Sequence, residues 1–103
     1  MDYLVIMRMR DPKDPGRQRL RAELRPAHLE RASKFREAGH VLLGGALLDD
    51  AGNPSGSAAI ARFGSRAELD AWLADDPWTK GGIYTDFEII PFRIAEHYPQ
   101  AKG

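Results

Sequence analysis

The sequence predicts an α+β fold of the ferredoxin-like kind, βαββαβ, with an antiparallel four-stranded sheet. Three observations carry that prediction. Apolar stretches with strand-like alternation fall near residues 3–10, 40–48, 56–63 and 86–94, and helical spacing falls between them. The middle two strands are joined by turn chemistry, Asp49-Asp50-Ala51-Gly52-Asn53-Pro54, which makes them a hairpin between two crossovers. Pro91 lies in the last strand, and a proline cannot donate to a ladder. That strand therefore belongs at an edge, as the usual 4-1-3-2 order requires.

The first strand, Tyr3 to Arg10, has Tyr3, Val5, Met7 and Met9 on one face and Leu4, Ile6, Arg8 and Arg10 on the other. Both faces begin apolar, so it is central and covered on both sides. Arg8 and Arg10 either reach a pocket rim or a partner subunit, or mark the wet end of the strand. A loop follows at Asp11-Pro12-Lys13-Asp14-Pro15-Gly16. An arginine-rich turn or two, Arg17 to Leu24, either attracts an anion or is a solvated helix face. Pro26 disfavours helical geometry at Arg25 and suits the first turn of a new helix, so a break or bend is expected there. A second helix, or a bent continuation of the first, then runs from Pro26 to about Ala38. His28, Ala32, Phe35 and Gly39 share its core-facing side, with His28 in the first turn. There the macrodipole favours a neutral imidazole. His28 is then either a proton acceptor or a hydrogen-bonded, half-buried histidine without chemistry.

The second strand, His40 to Leu48, is interrupted by Gly44-Gly45, which signals a bulge or a close approach by backbone or ligand. The third, Gly56 to Phe63, places Ser57, Ala59, Ala61 and Phe63 on one face. Ser65-Arg66-Ala67-Glu68 is a capping box, and Leu69, Trp72 and Leu73 form the apolar stripe of the helix it opens. That helix stops at Asp75-Asp76-Pro77-Trp78. Two carboxylates at a helix C-terminus oppose the macrodipole, so they are either solvated turn residues or a functional site. Trp78 to Tyr84 is an irregular aromatic and glycine-bearing segment, either a lid or pocket wall or a plug for the core.

Length and composition bound the function. The 103 residues suit one domain, 1–103, with a core over about 3–94 and a polar tail over 95–103. Lys+Arg and Asp+Glu are both 15, so the basic excess of a nucleic-acid or membrane-surface binder is missing. With no cysteine, disulfides, thiolate catalysis and Cys-ligated metals are excluded. No stretch has signal-peptide or membrane-span character, and a cytoplasmic protein is expected. No phosphate-loop pattern occurs, and one central His with one Asp is thin for a metal, so neither cofactor nor metal is expected. Strands apolar on both faces leave one sheet face uncovered. A homodimer with sheets packed face to face is the simplest cover.

Taken in order, Arg25-Pro26-Ala27-His28-Leu29, Gly39-His40-Val41-Leu42-Leu43-Gly44-Gly45-Ala46, Asp75-Asp76-Pro77-Trp78, Gly81-Gly82-Ile83 and Ile90-Pro91-Phe92 resemble the YCII-related (YciI-like) family. The resemblance spans roughly Tyr3 to Ile94 and implies a dimeric α+β barrel with a His–Asp pair in a cleft between sheet and helices. The histidine maps onto His28 and the aspartate onto Asp76, with Asp75 its exposed neighbour. The implied chemistry is cofactor-independent general acid/base work on a small oxygenated molecule such as an aromatic one. Some relatives are lyases of chlorinated hydroxyquinols, and some dimeric α+β barrels are cofactor-free monooxygenases. In that scheme Asp76 fixes the tautomer of His28, whose other nitrogen faces substrate. Ser57, Gly45, Trp78 and Arg8 are the candidate substrate contacts. The arginine-rich stretch before His28 looks like an elaboration of the family pattern. The competing reading is a non-catalytic dimeric module that binds a small ligand or partner, with His28 a polar anchor.

Overall fold

The computed structural model describes residues 1–95, so the expected tail falls almost wholly outside the described residues. Its elements are β1 (Asp2–Met9), α1 (Pro15–Glu37), β2 (Val41–Leu48), β3 (Pro54–Arg62), α2 (Arg66–Ala74), α3 (Pro77–Lys80) and β4 (Tyr84–Phe92). The strands form one antiparallel sheet in the order β2-β3-β1-β4, the ferredoxin-like arrangement. β1 is central because its odd residues are the most apolar row of the chain. Tyr3, Val5, Met7 and Met9 are all buried, and Val5 is fully enclosed. They pack with Ala59, Ala61 and Phe63 of the β3 row, and with Leu69, Trp72 and Leu73 of α2. β4 with Pro91 lies at an edge, opposite Tyr3. No helix among the described residues is long and apolar enough to cross a membrane.

Two helix readings change. α1 is one continuous helix with Pro26 inside it, not two pieces meeting at Arg25. It also starts earlier, on Pro15, with the Asp14 carboxylate accepting from the Arg17 N–H at 3.0 Å. A mid-helix proline costs about 3 kcal/mol. Tertiary contacts on both sides of it offset that cost: Leu20 and Leu24 before it and Phe35 after it all pack on the core. The Trp78 indole Nε1–H also donates to the Arg21 carbonyl at 3.0 Å, five residues before the proline. His28 therefore sits mid-helix, and the helix-terminus argument for its neutrality does not apply.

The second change concerns Asp76. Ser65 does cap α2, accepting from the Glu68 N–H at 3.2 Å, while the Glu68 carboxylate reaches the Gly64 N–H at 3.1 Å, one residue earlier than a standard box. α2 ends with Asp75 as its C-cap. Asp76 then caps α3, its Oδ1 accepting from the Trp78 N–H at 2.9 Å. A carboxylate is favoured at an N-cap, so no dipole conflict exists at Asp76. Segment 78–84, expected to be irregular, contains most of this short helix.

The glycine pair of β2 also behaves differently. Gly44 and Gly45 pair in register with Ala59 and Ala58, and the irregularities lie on either side, between Val41 and Leu43 and between Leu47 and Leu48. The close backbone approach occurs at Gly56, where a Cβ would run into the Met7 carbonyl oxygen of β1.

Candidate active site

Three elements converge on one side of the sheet at α1. The middle of α1 supplies His28, the junction of α2 and α3 supplies Asp76 and Trp78, and the start of β4 supplies Tyr84. The helical spacing that turned His28 toward the core brings its Nδ1 to 3.0 and 2.9 Å from the two carboxylate oxygens of Asp76. Asp76 is 7% exposed, and its neighbour Asp75 is exposed, as the resemblance implied. A carboxylate only accepts, so Nδ1 carries the proton and the opposite nitrogen, Nε2, faces away from Asp76. Nε2 makes no hydrogen bond among the described residues.

The imidazole is fixed from three directions. It stacks on the Trp78 ring at 3.7 Å between centroids, with planes 16° apart. Tyr84 meets it edge-on at 6.2 Å. Asp76 holds its Nδ1 edge. Trp78 is itself tied down by its backbone bond to Asp76 and its indole bond to Arg21. Asp76 has a further neighbour that sequence reading missed. The Arg31 guanidinium, on the same helix as His28, lies 3.6 Å from Oδ2 and stacks over Phe35 at 4.6 Å. The Arg31 Nη1 is buried and has no hydrogen-bond acceptor, so its interaction with Asp76 is an ion pair across a gap.

A cavity of about 590 Å³ opens beside the pair, within the usual size for a small-molecule site. His28, Asp76, Trp78, Ser57 and Gly45 all line it. Ser57 is buried, and its Oγ accepts from the Tyr84 hydroxyl at 2.6 Å, which leaves the serine's own proton for a ligand. Burial, the larger cause, pushes the Tyr84 phenol well up; its bond to Ser57 opposes the shift. Tyr84 is therefore a neutral donor at any ordinary pH. Gly45 shares the face of Leu43, away from the helices, so a Cβ there would point into open space on that outer face and only the Gly45 backbone borders the cavity.

Arg8 stands apart. It projects from the sheet face opposite the helices, is exposed, and pairs with Glu88 of β4. It does not line the cavity. Arg31 is the neighbour that sequence reading missed, because it meets Asp76 only through the tertiary fold. Arg21 lay in the run read as anion-attracting or solvated, and Tyr84 in the segment read as lid, pocket wall or core plug.

The YCII-related domain matches residues 1–93. The chain belongs to that family. Protein YciI of Escherichia coli O6:H1 is 31% identical over 96 residues, covering 87% of this chain and 96% of the relative. An uncharacterized protein of Haemophilus influenzae is 31% identical over 86 residues, covering 77% of this chain and 87% of the relative. Among solved structures, this YCII-related chain is similar to 5-chloro-2-hydroxyhydroquinone dehydrochlorinase (TftG) from Burkholderia phenoliruptrix AC1100, solved with 2,5-dihydroxybenzoquinone. The TM-score is 0.79 at 23% identity, over 96% of this chain and 100% of that one. At that identity the likeness speaks to the fold, the α+β arrangement described above.

Proposed function

We propose that this YCII-related protein is a cofactor-independent enzyme that moves a proton on a small oxygenated ring compound. One observation carries the reading: an imidazole tied at Nδ1 to a buried carboxylate, with its other nitrogen free, on the wall of a cavity of ligand size. Asp76 orients the ring and stabilises the imidazolium once His28 has taken a proton. Ser57 and the Gly45 backbone are the contacts for a flat, hydroxylated ligand, and Trp78, its ring covered by His28 and the Arg21 guanidinium, backs the imidazole from behind. The name of TftG, a dehydrochlorinase, supports an elimination as the type of step. In such a step the proton passes to His28 Nε2 and chloride leaves with the carbon–chlorine bonding pair, so the net loss is HCl and no redox partner enters the balance.

Chloride release from 5-chloro-2-hydroxyhydroquinone, without added metal or nucleotide, tests this directly. Turnover proportional to protein is expected. Saturable binding with no turnover of this or other chlorinated hydroxyquinols sinks the catalytic reading in favour of a binding module. Consumption of dissolved oxygen in place of chloride release replaces it with a monooxygenase.

The functional unit in this reading is a homodimer. Register places Leu43, Ile60, Leu4 and Ile90 side by side across all four strands, on the face away from the helices. Leu43 and Ile90 are 66% and 41% exposed, and Phe92 beside them is 39% exposed. An apolar row of this kind is unusual on a free surface, and a second sheet supplies a self-complementary cover. Sedimentation at low micromolar concentration is expected to give a dimer, and Ile90→Lys a monomer. A parent chain that sediments as a monomer refutes the face-to-face assembly.

A further inference from the structure

We propose that the cavity selects a small carboxylic acid, its carboxylate held by Arg25 of α1, one turn from His28, with Arg21 and Arg36 adding to the positive potential. The proposal rests on the cavity being a substrate site, and it adds the charge class of the substrate.

The carrying observation is how α1 sorts its charges. At about 100° per residue, Arg21, Arg25, His28, Ala32 and Arg36 fall in one strip about 80° wide. All five line the cavity. Glu23, Glu30 and Glu37 fall a heptad apart on the opposite side of the helix, and none lines it. A merely solvated helix face interleaves its signs in i,i+4 pairs. The outer face does so, with Glu30 and Lys34 at 3.8 Å. The cavity face does not: Arg21, Arg25 and Arg36 make no ion pair among the described residues.

Three arginines show what structural use looks like on this helix, Arg21 among them, its guanidinium lying over the Trp78 ring at 4.4 Å. Arg17 donates to the Arg10 and Gly82 carbonyls, and Arg31 faces Asp76. Asp76 supplies the sole carboxylate among the lining residues, and it is already engaged by His28, Arg31 and the Trp78 N–H. The cavity thus concentrates positive charge and has no free counter-charge. A low-dielectric wall focuses such a field on an entering anion. Burial is the main cause that pulls the Arg21 pKa down; Tyr84 opposes it, and Arg25 adds a smaller push in the same direction as burial.

Geometry favours a carboxylate over a phosphate. Guanidinium groups pair bidentately with carboxylate and phosphate alike, so the distinction rests on the backbone. The site has no cradle of backbone N–H groups, because the part of α1 that faces it is mid-helix. The stacked Trp78 and His28 rings and the apolar lining from Leu42 and Ala59 suit the ring that would carry the acid.

The test compares 2,5-dihydroxybenzoate with hydroquinone, which differs by the carboxylate, and with inorganic phosphate. Binding is followed by calorimetry and by NMR shifts of the full-length protein. The acid is expected to bind at least about tenfold more tightly than hydroquinone or phosphate. The preference is expected to vanish in the Arg25→Gln, Arg36→Gln double variant and to shrink with added salt. Arg19→Gln, on the outer face, is expected to keep it. Equal affinities, no binding of the acid, a preference that survives in the double variant, or phosphate binding as tightly each overturn the proposal. The His28→Gln protein separates the two readings, since it is expected to keep the carboxylate preference while losing turnover. Lost turnover without a preference removes the charge assignment alone. A preference without turnover in the parent removes the catalytic reading alone.

Discussion

His28→Gln is expected to lower turnover by about 10²–10⁴-fold, the usual contribution of a positioned acid–base group, while the protein stays folded. Glutamine can still reach Asp76 with an amide N–H, so the carboxylate keeps a donor. It cannot accept and return a proton near neutral pH. The fold depends little on the imidazole, because the large enclosed side chains are elsewhere: Leu69, Ile83 and Val5. Some stability goes with the Trp78 stack, on the order of 1 kcal/mol. Steady-state kinetics and urea unfolding on the same preparation distinguish the outcomes. A variant that keeps more than about a tenth of the parental rate removes His28 from proton transfer. A variant that loses rate and cooperative unfolding together shows that the histidine is a packing residue.

The fold was open to sequence reading where signals are local and periodic. Alternation in Tyr3, Val5, Met7 and Met9 names the central strand, because a two-residue period survives any context. The stripe Leu69, Trp72, Leu73 behind Ser65 names α2 for the same reason. Pro26 misled because the restriction it places on Arg25 is local, whereas Leu20, Leu24 and Phe35 act through the core. Asp76 misled in the opposite sense. A four-residue helix is too short to show a period, so its N-cap looked like the misplaced end of the previous helix.

The site divides along the same line. The contact between His28 and Asp76 was proposed through resemblance, since nothing in local spacing links residues 48 apart. Arg31 carries no local mark at all. One signal was available and unused, the segregation of arginine and glutamate around α1. Arg21, Arg25 and Arg36 lie opposite Glu23, Glu30 and Glu37 by helical geometry alone, before any coordinates are consulted. The run from Arg17 was read as attracting an anion or as a solvated face, and Arg36 lay outside it. The heptad relation of these arginines to the glutamates is what separates a lined cavity from a wet face.

Asp76→Ala is expected to be the most destabilising single change at the site, at about 3–5 kcal/mol, the cost of breaking a buried ion pair by removing one partner. The reason is how much one carboxylate satisfies. It accepts from His28 Nδ1 at 2.9 Å, caps α3 through the Trp78 N–H at 2.9 Å and faces the Arg31 guanidinium at 3.6 Å. Alanine leaves the half-buried Arg31 charge without its counter-ion and the Trp78 N–H without an acceptor. It also frees the short helix that presents Trp78 to His28. Asp76→Asn separates these roles. Its side-chain oxygen can still cap α3, but the neutral amide neither balances Arg31 nor enforces one imidazole tautomer. It is expected to unfold at a denaturant midpoint between the parent and the alanine variant. Long-range ¹⁵N correlation spectra should find neutral His28 protonated at Nδ1 in the parent and in a mixture of tautomers in Asp76→Asn. If Asp76→Ala unfolds at the parental midpoint, the carboxylate is not the keystone of the α1–α3 contact. If the tautomer is unchanged in Asp76→Asn, something other than Asp76 orients the ring, and the acid–base assignment loses its positioning residue.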